Sequence, residues 1–161
     1  MIDTVYTIGV YGSTEETFFE KLVQYKMDVF CDIRKRRGVR GSKYTYANSL
    51  RLQKKLNELG INYLYIPELA PSSEIRKLQH INDKKNSVAK KDRTSLGYAF
   101  KTEYDKQILQ PFSFQNLIHV LEKLHAKNVV FFCVEENPQA CHRSLVSEKL
   151  QTDYNIHIKH L

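Results

Sequence analysis

The segment "CVEENPQACHRSL", residues 133–145, is the densest chemistry in the chain: Cys133, Glu135, Glu136, Cys141, His142 and Arg143 fall within thirteen residues. A cysteine at a helix start beside an arginine has a lowered pKa and can act as a nucleophile. The phosphatase loop pattern Cys-x5-Arg, however, needs an arginine six positions after its cysteine, and Ser147 stands there. A zinc site from Cys133, Cys141 and His142 is also poorly supported, because Cys-x7-Cys-His has no second ligand pair at zinc-site spacing. No residue is assigned as a metal ligand, and a divalent metal held by carboxylates stays open as a cofactor. Cys141, His142 and Arg143 read as one wall of an anion- or substrate-binding rim, since helix N-termini receive anions. The plainer alternative is that Cys141 packs and Arg143 pairs with a carboxylate such as Glu135.

A second concentration is "DIRKRRGVRGSKYTY", which begins at Asp32. From Arg34 to Lys43 it holds six basic residues and no acidic one, and Tyr44 and Tyr46 follow. Arginine grips phosphate bidentately and tyrosine stacks on bases, so Arg34, Arg36, Arg37, Tyr44 and Tyr46 are candidate substrate contacts. A solvated basic loop, 34–43, is the bland reading. Asp32 ends an apolar run, where a carboxylate serves as acid, base, metal ligand or partner of a nearby arginine.

Elements must carry these residues to one place. "TVYTIGVYG", "DVFCDIR", "INYLYIP", "NVVFFCVE" and "IHIKHL" read as strands from their β-branched and aromatic content, the last with the alternation of a sheet edge. Helical spacing joins Phe18, Phe19, Leu22 and Val23 after an N-cap at Ser13 or Thr14. It recurs through Leu52, Leu56 and Leu59, stopped by Gly60, and through Phe100, Tyr104 and Ile108, stopped by Pro111. Further helices are expected over "SFQNLIHVLEKLHA" and from about Cys141 to Gln151. Residues 68–95 are polar and lysine-rich and read as a mobile excursion with one short helical candidate, "SSEIRKLQHI". Strands alternating with helices predict one α/β domain over 1–161: a mostly parallel, five-stranded sheet with helices on both faces, Rossmann-like and three-layered.

In such sheets ligands bind at the carboxyl ends of the strands. Those ends carry Gly9, Tyr11 and Ser13, then Asp32 and Arg34, then Glu68, then Glu135 with the Cys141–Arg143 group. Asp32, Glu68 and Glu135 are the candidate catalytic carboxylates.

Bulk properties narrow the classes. A net charge of +7 favours partners bearing phosphate or carboxylate. Three cysteines give no disulfide framework, and no apolar run is long enough for a membrane span. The N-terminus lacks the pattern of a signal peptide, so a cytoplasmic protein is expected. Neither a Walker nor a dinucleotide glycine loop is present.

Taken in order, "YTIGVYGSTEETFFEKL", "DVFCDIRKRR", "GINYLYIPELA" and "FFCVEENPQACHRSLVSEKL" resemble the successive motifs of the DUF 488 family, a family of unknown function. The resemblance spans nearly the whole chain. It implies a single α/β domain with a shared site at the strand ends, formed by Gly9, Asp32, Arg34, Glu68, Cys133, Glu135, Cys141, His142 and Arg143. The chain departs from the family's habit at Val10 and Tyr11, where histidine and serine are common, and it has no tryptophan. The resemblance supplies no reaction. The residues themselves suggest an enzyme acting on a nucleotide or nucleic acid, by glycosidic-bond or phosphodiester cleavage. The alternative is a non-catalytic module that binds nucleic acid or another anion through loop 34–43.

Overall fold

Alternation within the strands decides the layering. In β4 (Asn128–Phe132), Val129 and Phe131 join one core cluster and Val130 and Phe132 the other, and all four are fully buried. β1 (Thr4–Ile8) and β2 (Val29–Asp32) flank β4, while β3 (Asn62–Tyr65) and β5 (His157–His160) form the edges, giving the order β3-β2-β4-β1-β5. Every pairing is parallel. The computed structural model, which describes residues 1–161, is therefore a five-stranded parallel sheet with six helices, the α/β class expected. No helix is long and apolar enough to cross a membrane.

One face of the sheet lies under α1 (Glu15–Gln24) and α2 (Ser49–Glu58). Phe18, Phe19 and Leu22 of α1, with Leu52 and Leu56 of α2, cluster with Tyr6, Ile8, Phe30, Val130 and Phe132. Thr14 starts α1 with a reciprocal cap: its hydroxyl accepts from the Thr17 amide at 3.1 Å, and the Thr17 hydroxyl accepts from the Thr14 amide at 3.0 Å. The other face carries α3 (Ser73–Lys85), α4 (Tyr98–Tyr104), α5 (Phe114–Lys123) and α6 (His142–Tyr154), packed over Val5, Val29, Cys31, Val129 and Phe131. Burial of each large apolar side chain contributes roughly 1.5–3 kcal/mol, so these two faces supply most of the driving force for folding.

The middle of the chain carries more regular structure than its composition suggested. α3 runs thirteen residues, beginning where the Ser72 hydroxyl accepts from the Ile75 amide at 3.2 Å. Its buried stripe is Ile75, Gln79 and Asp83. Two of those three are polar, so hydrophobic periodicity underestimates the helix. The polar pair is satisfied: Gln79 donates to Asp83 at 2.7 Å, the Gly97 amide donates to Gln79 at 2.8 Å, and Arg93 donates to Asp83 at 3.0 Å. This seam fastens residues 86–95 back onto α3.

α4 widens into a π-type turn, Asp105–Leu109, ahead of Pro111. At the join, the fully buried Tyr104 donates its hydroxyl to the Leu69 carbonyl at 2.6 Å. Tyr104→Phe leaves that carbonyl unpaired, and the expected cost is about 1 kcal/mol in urea unfolding, with the fold retained. Unchanged stability would show that the bond contributes nothing.

Candidate active site at the strand ends

The ends of β1 and β4 meet without room for a side chain. A β-carbon at Gly9 would fall on the Glu135 carbonyl oxygen and lie 3.2 Å from Nη2 of Arg143. Arg143, fully buried in the first turn of α6, donates from Nη1 to the Glu135 carbonyl and from Nη2 to the Glu136 carbonyl at 3.0 Å. Its partners are backbone oxygens rather than the carboxylate of Glu135. Arg143 thus acts as a strut that shapes the 133–137 loop from behind, and it does not line the cavity described below.

Asp32 is equally committed. Its carboxylate accepts Nε and Nη2 of Arg34 at 2.9 and 2.7 Å, the Arg34 amide at 3.2 Å, and the Tyr63 hydroxyl at 2.8 Å. Burial, with the Arg37 and Asp32 contacts as smaller influences, pushes the Tyr63 phenol up to about 12, so it remains a donor to Asp32. The guanidinium carbon of Arg34 lies over the Phe132 ring, 4.6 Å from its centre. Its remaining nitrogen, Nη1, is buried without a partner.

Arg34 borders a cavity of about 420 Å³ above the strand ends. Arg36 and Arg40 reach it from the loop after β2, Arg76 and His80 from α3, and Lys90 and Arg93 from the turn beyond. Glu135 is the one carboxylate lining it. That carboxylate lies 3.7 Å from Arg93 and 4.0 Å from Lys90, and Arg93 also holds Asp83. Arg36, Arg40 and Arg76 form no ion pair. The cavity is strongly positive, and its volume lies within the range of small-ligand pockets. An adjoining cleft of about 1170 Å³ shares Tyr11, Lys90, Arg93 and Glu135 with it and is lined in addition by Tyr44. Tyr11 and Tyr44 pack at 5.2 Å between ring centres. Burial and the Glu135 charge raise the Tyr11 phenol, keeping it a neutral hydroxyl.

Cys133, Cys141 and His142 also line this cavity. Nε2 of His142 lies 3.0 Å from the Ile33 carbonyl, which can only accept, so that nitrogen carries the proton. Nδ1 therefore presents its lone pair to the sulfurs, 3.7 Å from Cys141 and 3.9 Å from Cys133. The Cys141 hydrogen bond, together with burial, pushes the Cys133 thiol up, so Cys133 keeps its proton and shares it with Cys141. Burial by itself would raise Cys141, but that hydrogen bond and the Arg143 charge and amide outweigh it and lower the thiol to about 7. The spacing in sequence argued against a zinc site, yet the strand end and helix start bring three ligand atoms within 4.8 Å of one another, and the cluster could hold a metal ion.

The other expected residues divide into two groups. Glu68 sits exposed in the short turn Pro67–Leu69 and does not line the cavity. Tyr46 is buried against Phe18 and Phe19 and donates to the Ser13 carbonyl at 3.0 Å, so it belongs to the core under α1. Ser13 turns its hydroxyl back to the Val10 carbonyl. Arg37 lies over the Tyr65 ring at 4.1 Å, away from the cavity. Tyr44 anchors the loop by accepting the Gly12 amide at 3.0 Å. Arg76, His80 and Arg93 were not foreseen. They come from the 68–95 segment, where only an excess of basic residues hinted at them.

A family model described as "Domain of unknown function DUF488" matches residues 14–150. No curated protein and no solved structure matches the chain.

Proposed function

Because the chain belongs to the DUF488 family, whose description assigns no activity, we propose a function from its own cavity: it binds the phosphate of a nucleotide or nucleic-acid strand end and cleaves a phosphoester there. The observation that carries this reading is Nη1 of Arg34, buried without a partner on a guanidinium whose other side is locked to Asp32. Unpaired buried donors cost free energy; Nε of Arg93, a second residue of the cavity lining, is another, and phosphate oxygens entering the cavity would satisfy both once small side-chain shifts uncover them. Arg36 and Arg76 would grip further oxygens, while Tyr11 and Tyr44 give an aromatic wall for a base in the adjoining cleft. Glu135 is the carboxylate placed to exchange a proton with the ligand. Glycosidic cleavage by two flanking carboxylates is the weaker form of the proposal, since the cavity is lined by one. A non-catalytic phosphate-binding module is the second reading, favoured by the complete engagement of Asp32.

The test is calorimetric titration of the full chain with inorganic phosphate, mononucleotides and a 5′-phosphorylated oligonucleotide, with product analysis of each mixture. Binding that tightens from phosphate to nucleotide is expected. Arg76→Gln and Arg36→Gln should each weaken it about tenfold or more, the scale of one charge-assisted hydrogen bond. Affinity unchanged in both variants, or no binding of any phosphate compound, would remove the reading. Binding without product would select the module.

A further inference from the structure

We propose that Cys133, Cys141 and His142 form a three-ligand zinc site whose open fourth position faces the cation-lined cavity. Three independent features of the cluster point to a metal rather than to a packed thiol pair.

The first is size. Tetrahedral zinc with Zn–S of about 2.3 Å and Zn–N of about 2.0–2.1 Å places sulfur about 3.6 Å from nitrogen and two sulfurs about 3.8 Å apart. The His142 Nδ1 distances here are 3.7 and 3.9 Å, and all three ligand atoms fall within 4.8 Å of one another. Small side-chain adjustments would bring them onto one ion.

The second is orientation. Metal-binding histidines characteristically donate their other ring nitrogen to a carbonyl or carboxylate, which fixes the tautomer and aims the lone pair. His142 does this through Nε2 to the Ile33 carbonyl at 3.0 Å. The acceptor belongs to the residue directly after β2, so the imidazole is clamped between two strand ends and the start of α6.

The third is charge and access. Two thiolates cancel the charge of a divalent cation, so the loaded site is neutral beside the buried Arg143 guanidinium. All three ligands are buried, at 8%, 3% and 6% exposure for Cys133, Cys141 and His142, yet all three line the cavity. The cluster contains no fourth histidine, cysteine or carboxylate. Three protein ligands with the last position open is the arrangement of zinc sites that act on a bound ligand, whereas structural sites are closed by four. A water or a phosphate oxygen would complete the coordination. That role toward phosphate rests on the function proposed above; the metal site itself does not.

The experiment begins with wild-type chain expressed in zinc-supplemented medium, dialysed into metal-free buffer and analysed by mass spectrometry for metal. About one zinc per chain is expected. Cys133→Ser and Cys141→Ser should each lose it, while Cys31→Ala, which removes a thiol outside the cluster, should keep it. Cobalt substitution of the wild type avoids any folding defect of a variant. It should give the intense visible absorption of four-coordinate cobalt with a thiolate-to-cobalt band in the near ultraviolet. A weak spectrum lacking the thiolate band, a Cys133–Cys141 disulfide in the purified chain, or serine variants that retain full zinc would each overturn the proposal. Arg76→Gln should retain zinc while binding phosphate about tenfold or more weakly. Zinc-loaded protein that binds no phosphate compound would count against the cavity's function and leave the metal site standing.

Discussion

Gly9→Ala should destabilise the chain by about 3 kcal/mol or more, at or beyond the upper end of ordinary overpacking costs. The new methyl would meet the carbonyl oxygen of Glu135, a backbone atom on a loop already fixed by Arg143, and not a side chain free to swing aside. Relief requires β1 and β4 to part at their carboxyl ends, where the Cys133 amide donates to Ile8 and the Val10 and Tyr11 amides both donate to Val134. The same displacement would shift Cys133 and Glu135 relative to Arg34. Urea unfolding should show the loss as a lower midpoint, and phosphate binding should fall with it even below the unfolding transition. A midpoint within about 0.5 kcal/mol of wild type, the range of neutral surface changes, would mean that the strand ends are not in contact.

Asp32→Asn is the second large effect, at about 3 kcal/mol, the lower end of the range for breaking a buried ion pair by removing one partner. The amide cannot accept at both positions, so one of the Arg34 and Tyr63 donors now faces an N–H. Arg34 keeps its charge in a site 4% exposed, with nothing to balance it. Tyr63→Phe, which removes only one donor and leaves the ion pair intact, should cost less, about 1.5 kcal/mol, the lower end of the scale of single hydrogen bonds to charged groups. Measurement of both variants by thermal and urea unfolding, beside phosphate affinity, also decides the role of Asp32. If stability and binding survive Asp32→Asn but product formation stops, Asp32 is a reacting group. If stability and binding fall together, it is the residue that positions Arg34.

Much of the architecture was legible because burial on both faces leaves a plain signature. β2 and β4 are runs of apolar residues, and each places successive side chains in opposite core clusters. The edge strand β5 was legible for the opposite reason, since its alternation reflects half-exposure. α3 was harder to read because its inward positions Gln79 and Asp83 are polar and satisfied by one another, by Gly97 and by Arg93. Polar burial of this kind depends on partners that local periodicity does not contain.

The site shows the same division. That Gly9, Asp32, Glu135 and the Cys141–Arg143 group belong to one rim followed from strand ends alone. Which of them face the cavity did not. Asp32 and Arg143 are turned toward neighbouring protein, one holding an arginine and the other holding backbone carbonyls, while Glu135, Cys141 and His142 face the cavity. The Cys133, Cys141 and His142 cluster is not legible from spacing, because Cys-x7-Cys-His carries no second ligand pair and only the fold brings the three atoms within 4.8 Å of one another. Three of the seven lysines and arginines lining the cavity, Arg76, Lys90 and Arg93, come from 68–95, a region whose residues reach the strand ends only through α3 and the turn that Arg93 fastens.

The strand order has a consequence for how the chain is made. β4 lies between β1 and β2, yet its first residue is Asn128, so Thr4 and Val29 wait for partners that emerge roughly a hundred or more residues later in synthesis. Until then β2 with β3 is the one strand pair that can form. Such distant pairing slows folding and leaves apolar strands uncovered on a nascent chain. A ribosome-bound chain stalled short of residue 128 should therefore be a target for chaperones. The cavity, lined by the residues just after β4 and at the start of α6, can therefore be completed only after that part of the chain has been made.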